Sequence, residues 1–366
     1  MRKALFLLFL VFMCLVLSFS ALAVDISAKS AVLIEMQSKD TVFEKSCDTV
    51  LPMASTTKIM TAIVVIESCP LDKIVTIEPC MTGVEGSSIY LKVGEQLTVK
   101  ELLYALMLES ANDAATALAY TVGGSIEGFA SMMNAKAQSL GLKNTNFENP
   151  HGLDSENHYT TARDLGLLAC YAMKNKEFAD IVSTRKITIP LNNGEGTRVL
   201  VNHNRLLRTY DGAIGIKTGY TKRCGRCLVS SAVRDGVELV CVTLNAPNDW
   251  LDHQKMLDYG FEQYVNLKLA DAGDYVIELN AVNGQKGTFK ATNSQNLSVT
   301  LKRSNVDISA VFELNRLICA PIHKGDLVGN IVFYNNGIEI GKLPIVSLET
   351  VKNKEYKKSF FERIFG

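Results

Sequence analysis

The feature that most constrains the fold is the segment of residues 55–67, which is rich in isoleucine, valine and methionine and almost free of charge. Its pattern predicts a helix that is apolar on nearly every face, and such a helix belongs inside a domain. The chain must therefore supply other helices and strands that enclose it. With 366 residues, the chain is long enough for two domains, the first with a substantial core.

Helical patterns follow this segment, and strand patterns stand on both sides of the helical block. Thr98 and Glu101 form a capping box ahead of an amphipathic helix that ends near Leu108. Further helical runs have caps and stops of their own, and they cover 114–122, 125–141, the residues after 160 and about 251–264. Alternating residues predict strands at 30–45, 185–189, 197–201, 228–233 and 237–244. This order predicts an α+β fold or a three-layer arrangement, with an antiparallel sheet and one all-helical part.

The composition changes near residue 267, where short alternating segments begin. Asn-Gly and Lys-Gly turns separate these segments, which is typical of a small all-β domain that ends near residue 348. We therefore expect a first domain over residues 24–265 and a β-rich second domain over residues 266–348.

The first 23 residues have the pattern of an export signal. Arg2 and Lys3 precede an unbroken apolar run over residues 4–17, and Ala21 and Ala23 supply the small residues that a signal peptidase needs. The run is short for a bilayer span, and an uncleaved anchor helix is the alternative interpretation. Both interpretations predict that the rest of the chain is exported.

The charge of the remaining chain is nearly balanced. Removal of residues 1–23 takes away Arg2 and Lys3 and no acid, which leaves 36 lysines and arginines against 38 acidic residues. Because no large basic block is present, this balance argues against nucleic acid as a partner.

The nine cysteines are scattered, which does not suggest a disulfide framework. Several, such as Cys170 and Cys241, fall in apolar runs, so we interpret most of them as small buried hydrophobic residues. Cys224 and Cys227 form a Cys-x-x-Cys pair, for which metal binding is the alternative. No second cysteine or histidine pair has a suitable spacing, and we expect neither a metal nor a cofactor.

Ser55 and Lys58 place a hydroxyl and an amine on one face of the predicted helix. A serine hydroxyl needs a base to take its proton, and a lysine can be that base when its charged form is disfavoured. Burial in an apolar helix and a second cation nearby would both lower the pKa of Lys58. Ser183 and Lys186 have the same spacing, but they lie in a segment that we predict to be a strand.

Two more motifs follow in the chain. Ser110 and Asn112 fall at the junction of two helical runs, where a loop would present both side chains. The same Ser-x-Asn pattern occurs twice later, but only this example lies between two helices. Lys217-Thr218-Gly219 follows an apolar strand segment. A lysine and a hydroxyl there can hold a carboxylate, and a glycine lets a substrate backbone approach the strand closely.

In this order the three motifs resemble those of the penicillin-recognising serine enzymes. The flanking residues, Pro-Met-Ala before Ser55 and Asn-Pro-His-Gly-Leu at 149–153, are similar to those of the low-molecular-mass D-alanyl-D-alanine carboxypeptidases. The similarity covers residues 30–265 and continues into the β domain at 320–329. It implies a β-lactamase or D,D-peptidase type of sheet with helices on both faces. It also implies a serine D,D-carboxypeptidase that acts on peptidoglycan stem peptides and that β-lactam antibiotics inhibit covalently.

The resemblance further implies a role for each motif residue. The catalytic residues would be the nucleophile Ser55, the general base Lys58 and the proton relay Ser110. The residues that bind substrate would be Asn112, Lys217, Thr218, Gly219 and Tyr220. Among these, Asn112 would hold the substrate amide, and Lys217 and Thr218 would hold the terminal carboxylate. The oxyanion would lie between the backbone N–H groups of Ser55 and Tyr220.

Three positions near the motifs need separate interpretation. Ala111 stands where these enzymes usually carry glycine, a small change in the loop. His203 stands where some relatives carry an arginine that supports carboxylate binding, which puts the positive charge of the pocket in question. His151 either belongs to the pocket or shapes its loop through hydrogen bonds, and we favour the second interpretation.

Two other functions compete with this hypothesis. A class A-like β-lactamase needs a carboxylate base in a loop after the second motif, where this chain has Asn149-Pro150-His151. Such an enzyme also has no use for the added β domain. A catalytically silent scaffold that binds the wall would keep the fold, but this chain has all the residues that the chemistry needs.

The last residues form a segment of a different kind. Within 352–366, apolar side chains recur at the spacing of one helix face: Tyr356, Phe360, Phe361, Ile364 and Phe365. Five cations and two acids occupy the rest. This pattern predicts an amphipathic helix within 349–366 that lies on an anionic membrane and is too short to span it. The resemblance agrees and implies the outer face of the cytoplasmic membrane, whereas a helix docked on the protein itself is the alternative.

Overall fold

The computed structural model describes residues 24–355, without the side chain at position 192. Within this range the chain forms two compact units. The first contains residues 24–234 and Glu238–Phe261, and the second contains Asp235–Val237 and residues 262–355. The export signal that we predict for residues 1–23 lies outside the described range.

The first unit contains the predicted apolar helix and several helices that pack against it. They are α1 (Lys58–Ser68), α2 (Val99–Leu108), α3 (Asn112–Gly123), α4 (Ile126–Ser139), α5 (Ala162–Met173), α6 (Lys176–Ser183), α7 (Leu206–Thr209) and α8 (Asp249–Gln263). Every residue from Lys58 to Val65 in α1 is buried, which confirms the prediction of an internal helix. Thr98 and Glu101 form the expected capping box of α2. Within residues 24–355, no helix has the length and apolar character needed to cross a bilayer.

The first nine strands of the chain form one five-stranded sheet and two separate strand pairs. They are β1 (Ser30–Glu35), β2 (Thr41–Lys45), β3 (Ile74–Thr76), β4 (Gln96–Thr98), β5 (Lys186–Leu191), β6 (Gly196–Val201), β7 (Ala213–Thr221), β8 (Gly225–Arg234) and β9 (Val237–Leu244). Five of them form a sheet in the order β2-β1-β9-β8-β7, so β7 is an edge strand. The strands β3 and β4 pair separately, as do β5 and β6.

Helices cover both faces of the sheet, as predicted. On one face, a Cβ atom at Gly166 of α5 would lie 2.8 Å from Ile34 in β1. On the other face, a Cβ atom at Gly260 of α8 would lie 2.7 Å from Leu33 in the same strand. Consecutive strand residues point to opposite faces, so these two contacts place α5 and α8 on opposite sides of β1. The α+β fold class is confirmed.

Two short helices of the first unit, α6 and α7, are absent from the sequence prediction. α6 is short, and Asn175 caps it by accepting a hydrogen bond from the N–H of Phe178. Ser183 is its last residue rather than part of a strand, whereas Lys186 begins β5. The two side chains therefore share no helix face, and this second Ser-x-x-Lys pattern does not bring its hydroxyl and amine together on one helix.

The second unit consists of short strands in its described part. They are β10 (Tyr264–Ala270), β11 (Val276–Asn280), β12 (Thr288–Asn293), β13 (Leu297–Lys302), β14 (Ile308–Leu314), β15 (Leu327–Asn335) and β16 (Ile338–Ser347). Five form a sheet in the order β11-β12-β16-β15-β14, and β10 pairs with β13. Phe289, Ile331 and Ile345 are buried in its core. The residues Asn336 and Gly337 both have positive φ, as a tight hairpin turn between β15 and β16 requires.

The structure corrects the start of the predicted C-terminal helix. Residues 349–355 are not helical; Val351 is buried, and the backbones of Val351 and Asn353 form isolated bridges to strand-like segments of the second unit. Their backbone groups are thus used in pairing with the β unit, which a helix would prevent. The rest of the prediction, residues 356–366 with their apolar stripe, lies outside the described residues.

Candidate active site

Ser55 lies in a short 3-10 turn, Ala54–Thr57, which runs directly into α1. Ala54 has a φ of 48°, a conformation that L-residues adopt rarely. Gly152, with a φ of 87°, approaches this turn so closely that a Cβ atom there would overlap the carbonyl oxygen of Ala54 and lie 2.8 Å from Thr57 Oγ1. The glycine therefore allows the 149–153 loop to pack directly against the turn that carries Ser55.

The amine of Lys58 is completely buried and has three polar neighbours. Its Nζ lies 2.9 Å from Ser55 Oγ, 2.7 Å from Asn112 Oδ1 and 2.6 Å from the carbonyl oxygen of His151. Burial lowers the pKa of Lys58 well below its ordinary value, and the charge of Lys217 lowers it further. A neutral amine has two N–H donors and one lone pair, which match the two oxygens of Asn112 and His151 and the hydroxyl of Ser55. In this arrangement, the lone pair of a neutral Lys58 can accept the proton of Ser55 Oγ.

The Ser110–Asn112 segment joins α2 to α3, as predicted. Ser110 has a φ of 60° and lines the same cleft as Ser55. Ala111 has a φ of −65°, which any L-residue adopts, so this position does not require a glycine. Asn112 is the first residue of α3, and its Nδ2 donates a hydrogen bond to the carbonyl oxygen of Glu85 over 2.5 Å. The Asn112 amide therefore holds the 85–87 loop and Lys58 at once.

The third motif lies on the edge strand β7, where side chains alternate between two sides. Lys217 is 1% exposed, and its Nζ donates a hydrogen bond to the carbonyl oxygen of Thr218 over 3.0 Å. Burial lowers the pKa of Lys217 to about 7. Thr218, Gly219 and Tyr220 line the cleft, whereas Lys217 is not among its lining residues. Lys217 is thus buried beside the cleft, where its charge acts on the amine of Lys58.

Gly219 is the point at which β7 passes the nucleophile turn. A Cβ atom at this position would lie 3.2 Å from the Cβ of Ala54 and 3.2 Å from the backbone nitrogen of Ser55. Such a separation is tighter than ordinary van der Waals contact, so a larger residue would push the strand away from Ser55. The glycine keeps the backbone N–H groups of Ser55 and Tyr220 near each other.

The cleft has a volume of about 340 Å³. Its lining contains five of the eight predicted site residues: Ser55, Ser110, Thr218, Gly219 and Tyr220. It also contains four residues that the sequence did not point to: Ser87, Arg226, Asp249 and Trp250. Arg226 lies between Cys224 and Cys227, a pair whose spacing indicates only packing or a metal site. The sequence did contain a signal for a place near the site. Arg226 follows Lys217 by nine residues across a short β-hairpin, and this spacing makes it the cross-strand partner of Tyr220.

The two histidines in question have different environments. The imidazole Nδ1 of His151 accepts a hydrogen bond from the N–H of Leu153 over 3.2 Å, and burial lowers the pKa of this histidine to about 3. His151 therefore shapes its loop, as we favoured, and its carbonyl oxygen contacts Lys58. His203 lines the cleft, and its Nε2 lies 3.0 Å from Glu109 Oε2.

The cysteines of the described range are all free. Five are buried, which agrees with their interpretation as packing residues: Cys47, Cys170, Cys224, Cys227 and Cys241. Burial raises the pKa of Cys224 to about 11 and that of Cys227 to about 12, which keeps both thiols protonated. Among residues 24–355, no group of three potential ligands from histidine, cysteine and acidic residues is close enough to hold a metal ion.

Comparison with known proteins finds similarity in both units. The profile of the family described as D-alanyl-D-alanine carboxypeptidase matches residues 17–248, and that described as penicillin-binding protein 5, C-terminal domain, matches residues 264–353. The chain is 33% identical to the D-alanyl-D-alanine carboxypeptidase DacF of Bacillus subtilis, with 93% of this chain and 89% of the relative covered. It is 32% identical to DacC of Escherichia coli, with 94% and 88% covered.

Solved structures show the same similarity. Penicillin binding protein 5 from Haemophilus influenzae superimposes with a TM-score of 0.65 at 28% identity, and the match covers 90% of this chain and 98% of that one. The DD-transpeptidase of Streptomyces K15 has a TM-score of 0.62 at 36% identity and covers 65% of this chain and 98% of its own.

The contact of Gly152 with the Ser55 turn generates a stability prediction. Gly152→Ala should destabilise the first unit more than Gly83→Ala, because both glycines have positive φ but a Cβ atom at Gly83 meets nothing within 4 Å. We expect about 1–2 kcal/mol for the backbone conformation alone at Gly83, and roughly 1–3 kcal/mol more for overpacking at Gly152. Urea unfolding followed by the fluorescence of Trp250, the only tryptophan, measures both. Equal losses would show that the 149–153 loop does not press on the turn.

Proposed function

This chain belongs to the D-alanyl-D-alanine carboxypeptidase family, and we propose that it removes the terminal D-alanine from peptidoglycan pentapeptides through an acyl-enzyme on Ser55. The observation that carries this assignment of the nucleophile is the buried amine of Lys58, 2.9 Å from Ser55 Oγ, at the edge of an open cleft. A hydroxyl and a base of lowered pKa in this arrangement are the parts of an activated serine.

In the acylation step, Ser55 Oγ attacks the carbonyl carbon between the two D-alanines, and its proton passes to Lys58 Nζ. The carbonyl oxygen becomes an oxyanion that the N–H groups of Ser55 and Tyr220 stabilise, with a typical contribution of ~3 kcal/mol from each donor. The C–N bond then breaks, and Ser110 relays the proton from Lys58 to the leaving amine of D-alanine, which leaves Lys58 neutral. Water next attacks the ester carbon and gives a proton to Lys58. The bond from this carbon to Ser55 Oγ breaks, Lys58 returns the proton to Ser55 Oγ, and the shortened peptide leaves.

The proposed role of Asn112 has two parts. In the free protein its Oδ1 is close to Lys58, and its Nδ2 donates to the carbonyl oxygen of Glu85. The first contact positions the base. The second would be exchanged for a substrate carbonyl when Asn112 holds the substrate amide.

A β-lactam should form a long-lived ester with this site. Among the described residues that line the cleft, Asp249 is the only carboxylate, and it is bound to Arg226. The described lining of the cleft therefore offers no unpaired carboxylate to activate a water molecule against a bound antibiotic. This favours a penicillin-binding carboxypeptidase over a β-lactamase.

The place of action is also a proposal. We infer that residues 1–23 direct export and that residues 356–366 attach the enzyme to the outer face of the cytoplasmic membrane, near its wall substrate. The support is the apolar run between a positive start and small residues, and the aromatic stripe beside clustered cations.

The nucleophile assignment predicts a covalent adduct. Penicillin should add its mass to Ser55, Ser55→Ala should abolish the adduct, and Ser183→Ala should leave it intact, because Ser183 ends α6 and has no lysine on the same helix face. Peptide mass spectrometry of the labelled protein identifies the modified residue. An adduct on a different serine would refute the assignment.

The electrostatic effect of Lys217 on Lys58 predicts a pH dependence. The acylation rate should rise with pH as Lys58 loses its proton, and the charge of Lys217 lowers the pKa of Lys58. Lys217→Met removes this charge, so the pKa of Lys58 should rise and the acidic limb of the profile should move up by about one pH unit. The rate of penicillin acylation between pH 4 and pH 10 measures the limb. The exposed Lys222→Met is the matched control, and an unmoved limb in a folded Lys217→Met variant would contradict the coupling.

The membrane proposal predicts a change in sedimentation. Deletion of residues 356–366 should leave an active enzyme that no longer sediments with anionic vesicles, whereas the full chain should sediment less at high salt. Each cation near such a surface adds about 1 kcal/mol to binding. The cut follows residue 355 because Val351 and Asn353 are paired within the second unit. Equal sedimentation of both forms would place the attachment elsewhere.

A further inference from the structure

Arg226 lines the same cleft as Ser55, and the reaction proposed above does not use it. It lies on β8, where its cross-strand partner is Tyr220 of β7. Cross-strand partners point to the same side of a sheet, as do residues two apart on one strand. Arg226, Tyr220 and Thr218 therefore share one side of this strand pair. Diagonal neighbours such as Arg226 and Thr218 are typically about 7–8 Å apart, which a long side chain can bridge.

The guanidinium of Arg226 is fixed at its inner end. Its Nε donates a hydrogen bond to Oδ1 of Asp249 over 2.9 Å, and the carboxylate of Asp249 is only 3% exposed. The indole of Trp250 lies against the guanidinium, 5.7 Å from its carbon to the ring centroid. The side chain of Arg226 is 42% exposed, and no described residue accepts a hydrogen bond from its Nη groups. The outer fork of the guanidinium is thus oriented and open, which is the geometry that binds a carboxylate.

The other cations near the cleft are less suited to hold an anion. Lys217 is buried and donates to the carbonyl oxygen of Thr218. His203 lines the cleft but contacts the carboxylate of Glu109. Among the described residues that line the cleft, Arg226 is the only lysine or arginine. A substrate that ends in a carboxylate therefore meets a permanent positive charge at Arg226.

We propose that the Nη groups of Arg226, together with the hydroxyl of Thr218, bind the terminal carboxylate of the D-alanyl-D-alanine substrate. Selectivity for a free C-terminus then depends on Arg226 rather than on direct contact with Lys217. This inference rests on the proposed function and names the residue that recognises the end of the substrate. Asp249 and Trp250 are positioning residues, because they act on the substrate through Arg226.

The test compares two peptides that end in D-alanyl-D-alanine, one with a free terminal carboxylate and one with a terminal amide. Arg226→Gln should lower kcat/KM for the free peptide by roughly 10- to 100-fold, the range for loss of a hydrogen bond to a charged group. It should change kcat/KM for the amide by less than about threefold, since the amide has no charge to lose. Arg226→Lys keeps the charge without the fork and should lose several-fold on the free peptide alone.

The matched control is Arg223→Gln, an exposed arginine of the same hairpin that does not line the cleft. It should leave both values unchanged, which separates direct contact from the general field of the surface. Equal losses on both peptides, or no loss on the free peptide with either Arg226 variant, would overturn the inference. The unfolding midpoint and the stoichiometry of penicillin on Ser55 establish that each variant is folded. Failure of the proposed function is a separate result, in which the unaltered protein itself neither releases D-alanine nor binds penicillin.

Discussion

The burial of the Lys58 amine is the constraint on which the rest of this structure depends. An isolated ammonium is costly to bury in an apolar interior. A buried lysine reduces this cost by losing its proton or by forming hydrogen bonds. Here both occur, since Asn112 and His151 supply acceptors and the neighbouring Lys217 disfavours the charge. The apolar faces of α1 create the burial, so the helix that organises the core also produces the base. Stability and reactivity have a common origin in one helix.

The strand pair β7–β8 places the two cations Lys217 and Arg226 on opposite sides of the sheet. The alternation of side chains turns Lys217 inward toward Lys58, and the antiparallel register turns Arg226 outward beside Tyr220. The inner charge tunes a base, and the outer one faces the solvent where a substrate arrives. A lysine suits the buried position because its pKa shifts readily, whereas an arginine keeps its charge at the exposed position. The two cations are therefore not interchangeable.

The departures from the family pattern have local physical explanations. Ala111 is accommodated because its backbone lies in an ordinary extended conformation, and the unusual φ belongs to Ser110 instead. His203 contacts Glu109, so this position adds little net positive charge to the cleft. Neither of these changes removes a group that the proposed chemistry needs.

The sequence by itself determined the internal helix, the capping of α2, the two-unit pattern of helices and strands and the three motifs, because each depends on periodicity or on neighbours within a few residues. It missed the short helices α6 and α7 and extended the C-terminal helix into residues 349–355. Helices of eight and four residues give little periodicity, and bridges to distant segments leave no local signal. It also could not separate the roles of Lys217 and Arg226. Only the tertiary structure decided which cation faces the cleft, because the side of a strand that a residue faces depends on what packs against each face of the sheet.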